Sequence, residues 1–120
     1  MILKIIILLY IYQMSNQFNN SNTNANSAPK VFYTAAVMNN YDFTNRSMPD
    51  VLFVGAVMRN SNFSGDDLQG ANFTGADLDY ANFSGCNLSG AKFVGADLQG
   101  TDFSGANTTG ANFGGSVGYP

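Results

Sequence analysis

The sequence contains no His, no Glu and no Trp, and it has a single Cys. Because His and Glu are among the most frequent general acid–base groups, their absence removes most catalytic arrangements that depend on proton transfer. A Ser-His-Asp or Cys-His triad is impossible within this chain. One Cys without His also provides neither a nitrogen–sulfur zinc site nor an intrachain disulfide. The sequence therefore predicts a protein that is not an enzyme and that binds no metal and no cofactor.

Charged side chains are also scarce, at 11% of the 120 residues. All eight acidic residues are Asp, and the formal net charge is −3 at pH 7. The few basic residues form no patch, so we expect no direct binding to nucleic acid. The chain is instead rich in small and aromatic residues, with 13 Gly, 10 Phe and 16 Asn.

Residues 1–13 form an apolar segment in which Lys4 is the only charged side chain. Its uninterrupted apolar run, from Ile5 to Tyr12, is shorter than the ~20 residues that a membrane-spanning helix needs. Three interpretations are open: a signal peptide or anchor, an upstream extension ahead of a start at Met14, and a native segment packed on the domain. The compartment is therefore unknown. A start at Met1 predicts a secreted or membrane-associated protein, and a start at Met14 predicts a cytoplasmic one.

Residues 14–30 are rich in Asn and Ser, and Phe18 is the only large apolar side chain after Met14. Such a segment buries too little surface to offset the entropy lost on ordering, so we expect a flexible linker. The alternative is a low-complexity tract that takes part in interactions.

From residue 31 to residue 115 one pattern recurs every five residues. Sixteen of the seventeen central positions, from Tyr33 to Phe113, carry a large apolar side chain, and Thr108 is the exception. Ala is frequent two positions before the centre, and Asp or Asn is frequent one position before it. Eleven Gly stand two positions after the centre, which indicates a recurrent sharp corner. Since a period of five fits neither a helix nor a flat strand, the pattern predicts a solenoid.

These repeats resemble the pentapeptide-repeat family, whose signature is Ala-Asp/Asn-Leu/Phe-x-x. Matches stand at residues 71–75 (ANFTG), 76–80 (ADLDY) and 81–85 (ANFSG), and the resemblance covers residues 31–115. It implies an all-β fold, a right-handed quadrilateral β-helix with about four repeats in each coil. This chain would then form a little over four coils, and residues 116–120 would be a C-terminal tail.

A register of twenty residues, as the resemblance implies, arranges the central residues in columns. Two opposite faces would each stack aromatic rings, and aliphatic ladders would fill the space between them. The predicted aromatic ladders contain Phe53, Phe73, Phe93 and Phe113 on one face and Phe43, Phe63, Phe83 and Phe103 on the other.

The small inward position of one column carries three unusual residues. Arg46 and Asp66 are twenty positions apart in this column, so we expect them to form a structural ion pair on adjacent coils. Cys86 occupies the next coil, and we expect it to be an inert, buried residue.

The outer surface of the first two coils is predicted to be apolar along one edge. The position before the centre carries mostly Asn or Asp in the later coils, but at four places in these two coils it carries a large apolar side chain. Soluble monomers seldom leave such a surface exposed unless it is used. It is either a contact surface, covered by the N-terminal segment, or the product of a shifted early register. We define this apolar patch as Phe32, Val37, Leu52, Val54 and Val57.

An acidic surface is the second outer feature, formed by Asp77, Asp79 and Asp97 on one face. Some members of the family resemble duplex DNA in shape and charge and act on DNA gyrase. An acidic DNA mimic acting on a topoisomerase is therefore the alternative function, although Arg59 interrupts the acidic face. The sequence favours a non-enzymatic structural or protein-interaction module whose partner is another protein or a second copy of the chain.

Overall fold

A computed structural model describes residues 2–3, which are helical, and residues 32–119. Apart from residues 2–3, the apolar N-terminal segment lies outside the described residues, as do the expected linker and Pro120. Within the described ranges, no helix is both long and apolar enough to cross a bilayer. The repeats fill the longer of the two ranges.

Residues 32–119 wind into a four-sided coil whose successive turns are stacked in parallel. Fourteen single-residue parallel bridges join each outer residue to the one twenty positions later, from Phe32–Leu52 to Asp97–Val117. Because the chain changes direction every five residues, no strand in residues 32–119 is longer than one bridged residue. The ladder of bridges extends to Val117, two residues beyond the predicted end of the repeats.

The bridges define four faces, which we name by their outer residues. Face A carries residues 32, 52, 72, 92 and 112, and face B carries residues 37, 57, 77, 97 and 117. Face C carries residues 42, 62, 82 and 102, and face D carries residues 47, 67, 87 and 107. Coil 1 comprises residues 32–51, coil 2 residues 52–71, coil 3 residues 72–91 and coil 4 residues 92–111.

Each corner of the coil is a tight turn whose third residue has a left-handed backbone. In the turn that begins at Phe73, the Ala76 N–H donates to the Phe73 carbonyl at 3.0 Å, and Gly75 has a φ of 66°. Glycine adopts this conformation without steric cost, which explains its recurrence at one position of the repeat. Other residue types take the same conformation at Ala35, Asn40, Asn45, Asp50, Asn60 and Tyr80.

Two ladders of aromatic rings run through the core, beside buried Met, Leu and Ala side chains. Neighbouring rings within a ladder are nearly parallel, with centroids 4.5 Å apart for Phe43–Phe63 and 5.1 Å apart for Phe53–Phe73. The two ladders meet edge to face, as Phe43 and Phe53 do at 5.6 Å. The six Phe from Phe43 to Phe93 are fully buried. Phe103 and Phe113 are partly buried at the C-terminal end, where the Tyr119 ring stacks on Phe113.

Candidate interaction surface

The outer Asn and Asp residues stabilise the turns that follow them. Asn72 Oδ1 accepts hydrogen bonds from the backbone N–H of Thr74 at 3.0 Å and from its hydroxyl at 2.6 Å. These local bonds occupy the side chains that sequence reasoning treated only as an outward polar surface. The visible signal was an Asn or Asp followed two residues later by Ser or Thr. The backbone bond recurs in Asp42–Thr44, Asn62–Ser64, Asn82–Ser84, Asn87–Ser89, Asp102–Ser104 and Asn107–Thr109.

The same bonds set the charge of face C at its two ends. Hydrogen bonds from the Thr44 hydroxyl and backbone lower the pKa of Asp42, and those from Ser104 lower the pKa of Asp102. Both carboxylates are therefore ionised at neutral pH and are held in place by their own turns.

The structure brings the five residues of the apolar patch together on coils 1 and 2. Phe32 is bridged to Leu52 on face A, and Val37 is bridged to Val57 on face B. The Val37 side chain is 59% exposed, whereas the other four members are partly buried. The patch is therefore continuous across the edge between faces A and B. The covering role considered for residues 1–13 falls almost wholly outside the described residues.

Four further apolar side chains are exposed in residues 32–119: Tyr80, Val94, Val117 and Tyr119. Tyr80 is 58% exposed, and Val117, an outer residue of face B, is 64% exposed. Val94 lies in the corner after face A and Tyr80 in the corner after face B, whereas the Tyr119 ring stacks on Phe113 at the C-terminal end. Sequence reasoning missed Tyr80, although an aromatic residue at a position dominated by Gly was a visible signal.

The acidic surface is compact. One carboxylate oxygen from each of Asp77, Asp79 and Asp97 lies within 4.8 Å of the other two. Burial, a hydrogen bond with Asp97 and the charges of Asp97 and Asp77 raise the pKa of Asp79. The Arg59 Nε lies 2.6 Å from Asp77 Oδ2, and this contact raises the pKa of Arg59. Carboxylate oxygens are common ligands of divalent cations. In this cluster, however, the Arg59 guanidinium already pairs with one of the three carboxylates.

The structure places Arg46 beside Asp66, but not as the predicted ion pair. Asp66 Oδ1 accepts the backbone N–H of Arg46 at 3.0 Å. The Arg46 guanidinium instead lies 5.5 Å from the centroid of the Tyr41 ring. The Asp66 carboxyl is buried in the inward position, whereas the long Arg side chain extends outward, where its charge stays hydrated. Among the described residues the ion pair is formed by Arg59 and Asp77, eighteen positions apart.

Cys86 is buried, with 1% of its surface exposed. Its Sγ–H donates to the Phe63 carbonyl at 2.9 Å, and burial raises the pKa of the thiol to about 11. Because the thiolate is the reactive form, this cysteine is chemically protected in the folded chain.

The family model for pentapeptide repeats matches the chain in eight copies, over residues 38–75, 67–105 and 96–118. These overlapping matches extend from residue 38 to residue 118 and so cover more than half of the chain. The chain belongs to the pentapeptide repeat family. It matches no curated protein sequence.

Solved pentapeptide repeat proteins share its fold. Rfr23 from the cyanobacterium Cyanothece 51142 is 28% identical with a TM-score of 0.74, over 78% of this chain and 64% of its own. A protein from the thylakoid lumen of Arabidopsis thaliana is 27% identical with a TM-score of 0.69, over 71% of this chain and 59% of its own. The chain thus spans less than two thirds of each.

A third pentapeptide repeat protein, from Nostoc PCC 7120, matches almost end to end. It is 17% identical with a TM-score of 0.65, over 94% of this chain and 88% of its own, and it bears on the fold alone. These likenesses confirm the expected right-handed quadrilateral β-helix.

Proposed function

We propose that this pentapeptide repeat protein is a non-enzymatic structural or protein-interaction module whose contact surface is the apolar patch. The observation that carries the proposal is the 59% exposure of Val37 beside Val57, Phe32 and Leu52. Removing such a surface from water is the main driving force of protein association. The absence of His and Glu from the sequence also favours binding over catalysis.

The unequal sides of the coil support this surface. Faces C and D present Asn, Asp and Ser side chains, and many of these are already bonded to their own turns. These polar side chains would add little binding free energy, because contact with a partner would have to break their local hydrogen bonds. The outer residues of faces C and D include no large apolar side chain, whereas those of faces A and B include Phe32, Val37, Leu52, Val57 and Val117. We therefore expect the partner to approach the edge between faces A and B.

A second copy of the chain is the partner that we propose. None of the five patch residues is charged. Two patches related by a two-fold axis could therefore be buried against each other without leaving an unpaired charge at the contact. The apolar side chains would form the centre of the interface, and the neighbouring Arg59 and Asp77 would lie at its rim.

Sedimentation velocity over a range of concentrations tests this proposal. We expect the full chain to self-associate, Val37→Lys to remain monomeric and Ser47→Lys to associate like the unmodified protein. Val37 and Ser47 are both exposed outer residues of coil 1, but they lie on opposite faces, B and D. An unmodified chain that stays monomeric, or equal effects of the two substitutions, would contradict the proposal.

A DNA mimic acting on a topoisomerase is the second candidate, and the three clustered carboxylates of face B favour it. Two features weigh against it. Arg59 pairs with Asp77, and the uncharged Asn62 and Asn82 separate Asp42 from Asp102 on face C. Inhibition of gyrase supercoiling without binding to DNA would favour mimicry. An unaffected gyrase would remove this candidate.

A further inference from the structure

The turn that begins at Phe43 is closed differently from the regular turns of the coil. In a regular turn, the N–H three residues after the central residue donates to the central carbonyl, as Ala76 donates to Phe73. The corresponding Arg46 N–H donates instead to Asp66 Oδ1 at 3.0 Å. Within the described part of the chain, no backbone N–H donates to the Phe43 carbonyl. Asp66 Oδ1 therefore replaces the Phe43 carbonyl as the acceptor of the Arg46 N–H, and among the described residues the Phe43 carbonyl is left without a backbone donor.

In the preceding turn, from Met38 to Tyr41, one side chain bonds to both the N–H and the carbonyl of the turn. The Tyr41 N–H donates to Ser61 Oγ at 3.3 Å, and the Ser61 hydroxyl donates to the Met38 carbonyl at 2.8 Å. One side chain thus bridges the two ends of this turn. Asp66 occupies the equivalent position one repeat later, twenty residues after Arg46 and twenty-three residues after Phe43. The carbonyl equivalent to that of Met38 is the Phe43 carbonyl.

Other side chains at the inward position also donate to the carbonyl twenty-three residues earlier, in turns that keep their own backbone N–H bond to that carbonyl. The Cys86 thiol donates to the Phe63 carbonyl at 2.9 Å, and the Thr101 hydroxyl donates to the Leu78 carbonyl at 3.0 Å. Each of these bonds spans twenty-three residues. The Asp66 side chain is 2% exposed, and its Oδ2 is buried without a hydrogen-bond partner. An ionised carboxyl has no proton to donate, whereas a neutral carboxylic acid does.

We propose that Asp66 is a pH-sensitive latch of coil 1. As a neutral acid, its Oδ2–H donates to the Phe43 carbonyl and closes the turn from Phe43 to Arg46. When the carboxyl releases this proton to solvent, the bond is lost and a buried carboxylate is left half-satisfied, so the turn and the adjoining part of coil 1 loosen.

The charges around Asp66 agree with this behaviour. Burial raises the pKa of Asp66 most, and the charge of Asp42 raises it further, against the opposing effects of the Arg46 backbone N–H, the Arg46 charge and the Asn45 backbone N–H. On the other side, the Cys86 thiol stays neutral because burial raises its pKa to about 11. A carboxyl whose pKa is raised in the folded chain stabilises the fold fully below its unfolded-state pKa. This stabilisation is lost as the pH rises through the folded-state pKa.

The unfolding equilibrium of Asp66→Asn, measured with urea from pH 4 to pH 8, tests the latch. The amide carries an Nδ2–H in place of the Oδ2–H at every pH, so its stability relative to the unmodified chain should increase with pH. Each unit by which the pKa of Asp66 is raised corresponds to about a tenfold change in the unfolding equilibrium constant. Asp42 and Asp102 have lowered pKa values and respond in the opposite sense, so the comparison between chains is what isolates Asp66.

Asp50→Asn is the matched control, because Asp50 is an exposed carboxylate on coil 1, which the latch closes, and Asn adopts its left-handed backbone at equivalent corners. We expect no increasing gain with pH for this control. If the ratio of the unfolding equilibrium constants of Asp66→Asn and the unmodified chain is constant from pH 4 to pH 8, the latch is overturned. An equal, pH-dependent gain for Asp50→Asn would overturn it as well.

A titration of the unmodified chain tests the latch even if the variant does not fold. The carbon-13 shift of the Asp66 carboxyl should titrate above the ordinary range for Asp. Exchange of the Met48 amide, which donates to the Asp67 carbonyl at 2.9 Å in the adjoining part of coil 1, should accelerate over the same pH interval relative to that of Leu88, the equivalent amide two coils later. A midpoint at or below the ordinary Asp value, or an exchange ratio that ignores it, would show that no latch exists.

Discussion

Tyr80 has a φ of 60° at a corner where most of the later repeats have glycine. A left-handed backbone costs a residue with a Cβ roughly 1–2 kcal/mol. The Tyr80 side chain is 58% exposed, and its ring lies where a Cβ on Gly100 would be. The contact with Gly100 therefore requires a strained backbone at Tyr80. Because the ring is exposed, its burial contributes little free energy to offset that strain.

Replacing Tyr80 with glycine should raise the free energy of unfolding by about 1 kcal/mol, since the strain is relieved and little buried area is lost. Urea denaturation measures this directly. Tyr80→Ala is the control, because it removes the ring but keeps a Cβ in the left-handed backbone. Equal gains from both substitutions would show that the ring, and not the backbone, is responsible.

Cys86 should be inert towards alkylating reagents in the folded protein. At pH 8 a thiol whose pKa is about 11 is almost entirely protonated, and it is also buried. The rate of reaction with iodoacetamide should therefore rise sharply only when urea unfolds the chain. Modification of the native protein at the rate of a free cysteine would contradict the buried position.

The two Phe ladders are the element on which the stability of the coil depends. Each inner ring touches a ring above, a ring below and rings of the opposite ladder, as Phe73 does with Phe53, Phe93 and Phe83. Phe113, at the C-terminal end, is only partly buried, although it contacts the rings of Phe93 and Tyr119. Removal of an inner ring therefore leaves a cavity that the neighbouring coils have little freedom to close.

Phe73→Ala should cost about 3–5 kcal/mol of unfolding free energy, as expected for a fully buried aromatic residue. Phe113→Ala should cost clearly less, because part of that ring is already in contact with water. Chemical denaturation of both variants tests the position of the two rings. Similar losses at the two positions would contradict the observed gradient of burial along the ladder.

The architecture of these elements could be predicted from the sequence, because one period controls it. A large apolar residue every fifth position and Gly at one fixed position are sufficient to order Phe53, Phe73 and Phe93 in one column. The pairing of individual polar side chains could not be predicted in the same way. Asp66 accepts the backbone N–H of Arg46 and does not pair with its guanidinium. A buried carboxyl is satisfied by the nearest hydrogen-bond donor, which here belongs to the backbone.

A period also gives no information on side-chain length or direction. Arg59 reaches Asp77, eighteen positions away, because its long side chain crosses diagonally between adjacent coils. The strict twenty-residue columns therefore missed this ion pair. The position of the apolar patch followed from the columns, since Phe32 and Leu52 or Val37 and Val57 differ by one coil.

At the scale of the whole molecule, the described coil has two unlike sides. Faces C and D carry outer Asn, Asp and Ser side chains, many of them bonded to their own turns. Faces A and B carry the apolar patch and the acidic surface, and Tyr80 lies at the corner that follows face B. We therefore propose the apolar side as the contact surface and a second copy of the chain as its partner.

The most direct test places a photo-reactive phenylalanine analogue at position 37, on face B, and separately at position 47, on face D. After irradiation of the purified full chain, mass spectrometry identifies the cross-linked residues. We predict a covalent dimer from position 37, linked to residues of the apolar patch, and little or none from position 47. Dimers from position 47 alone, or equal yields from both positions, would contradict the claim that the edge between faces A and B is the contact surface.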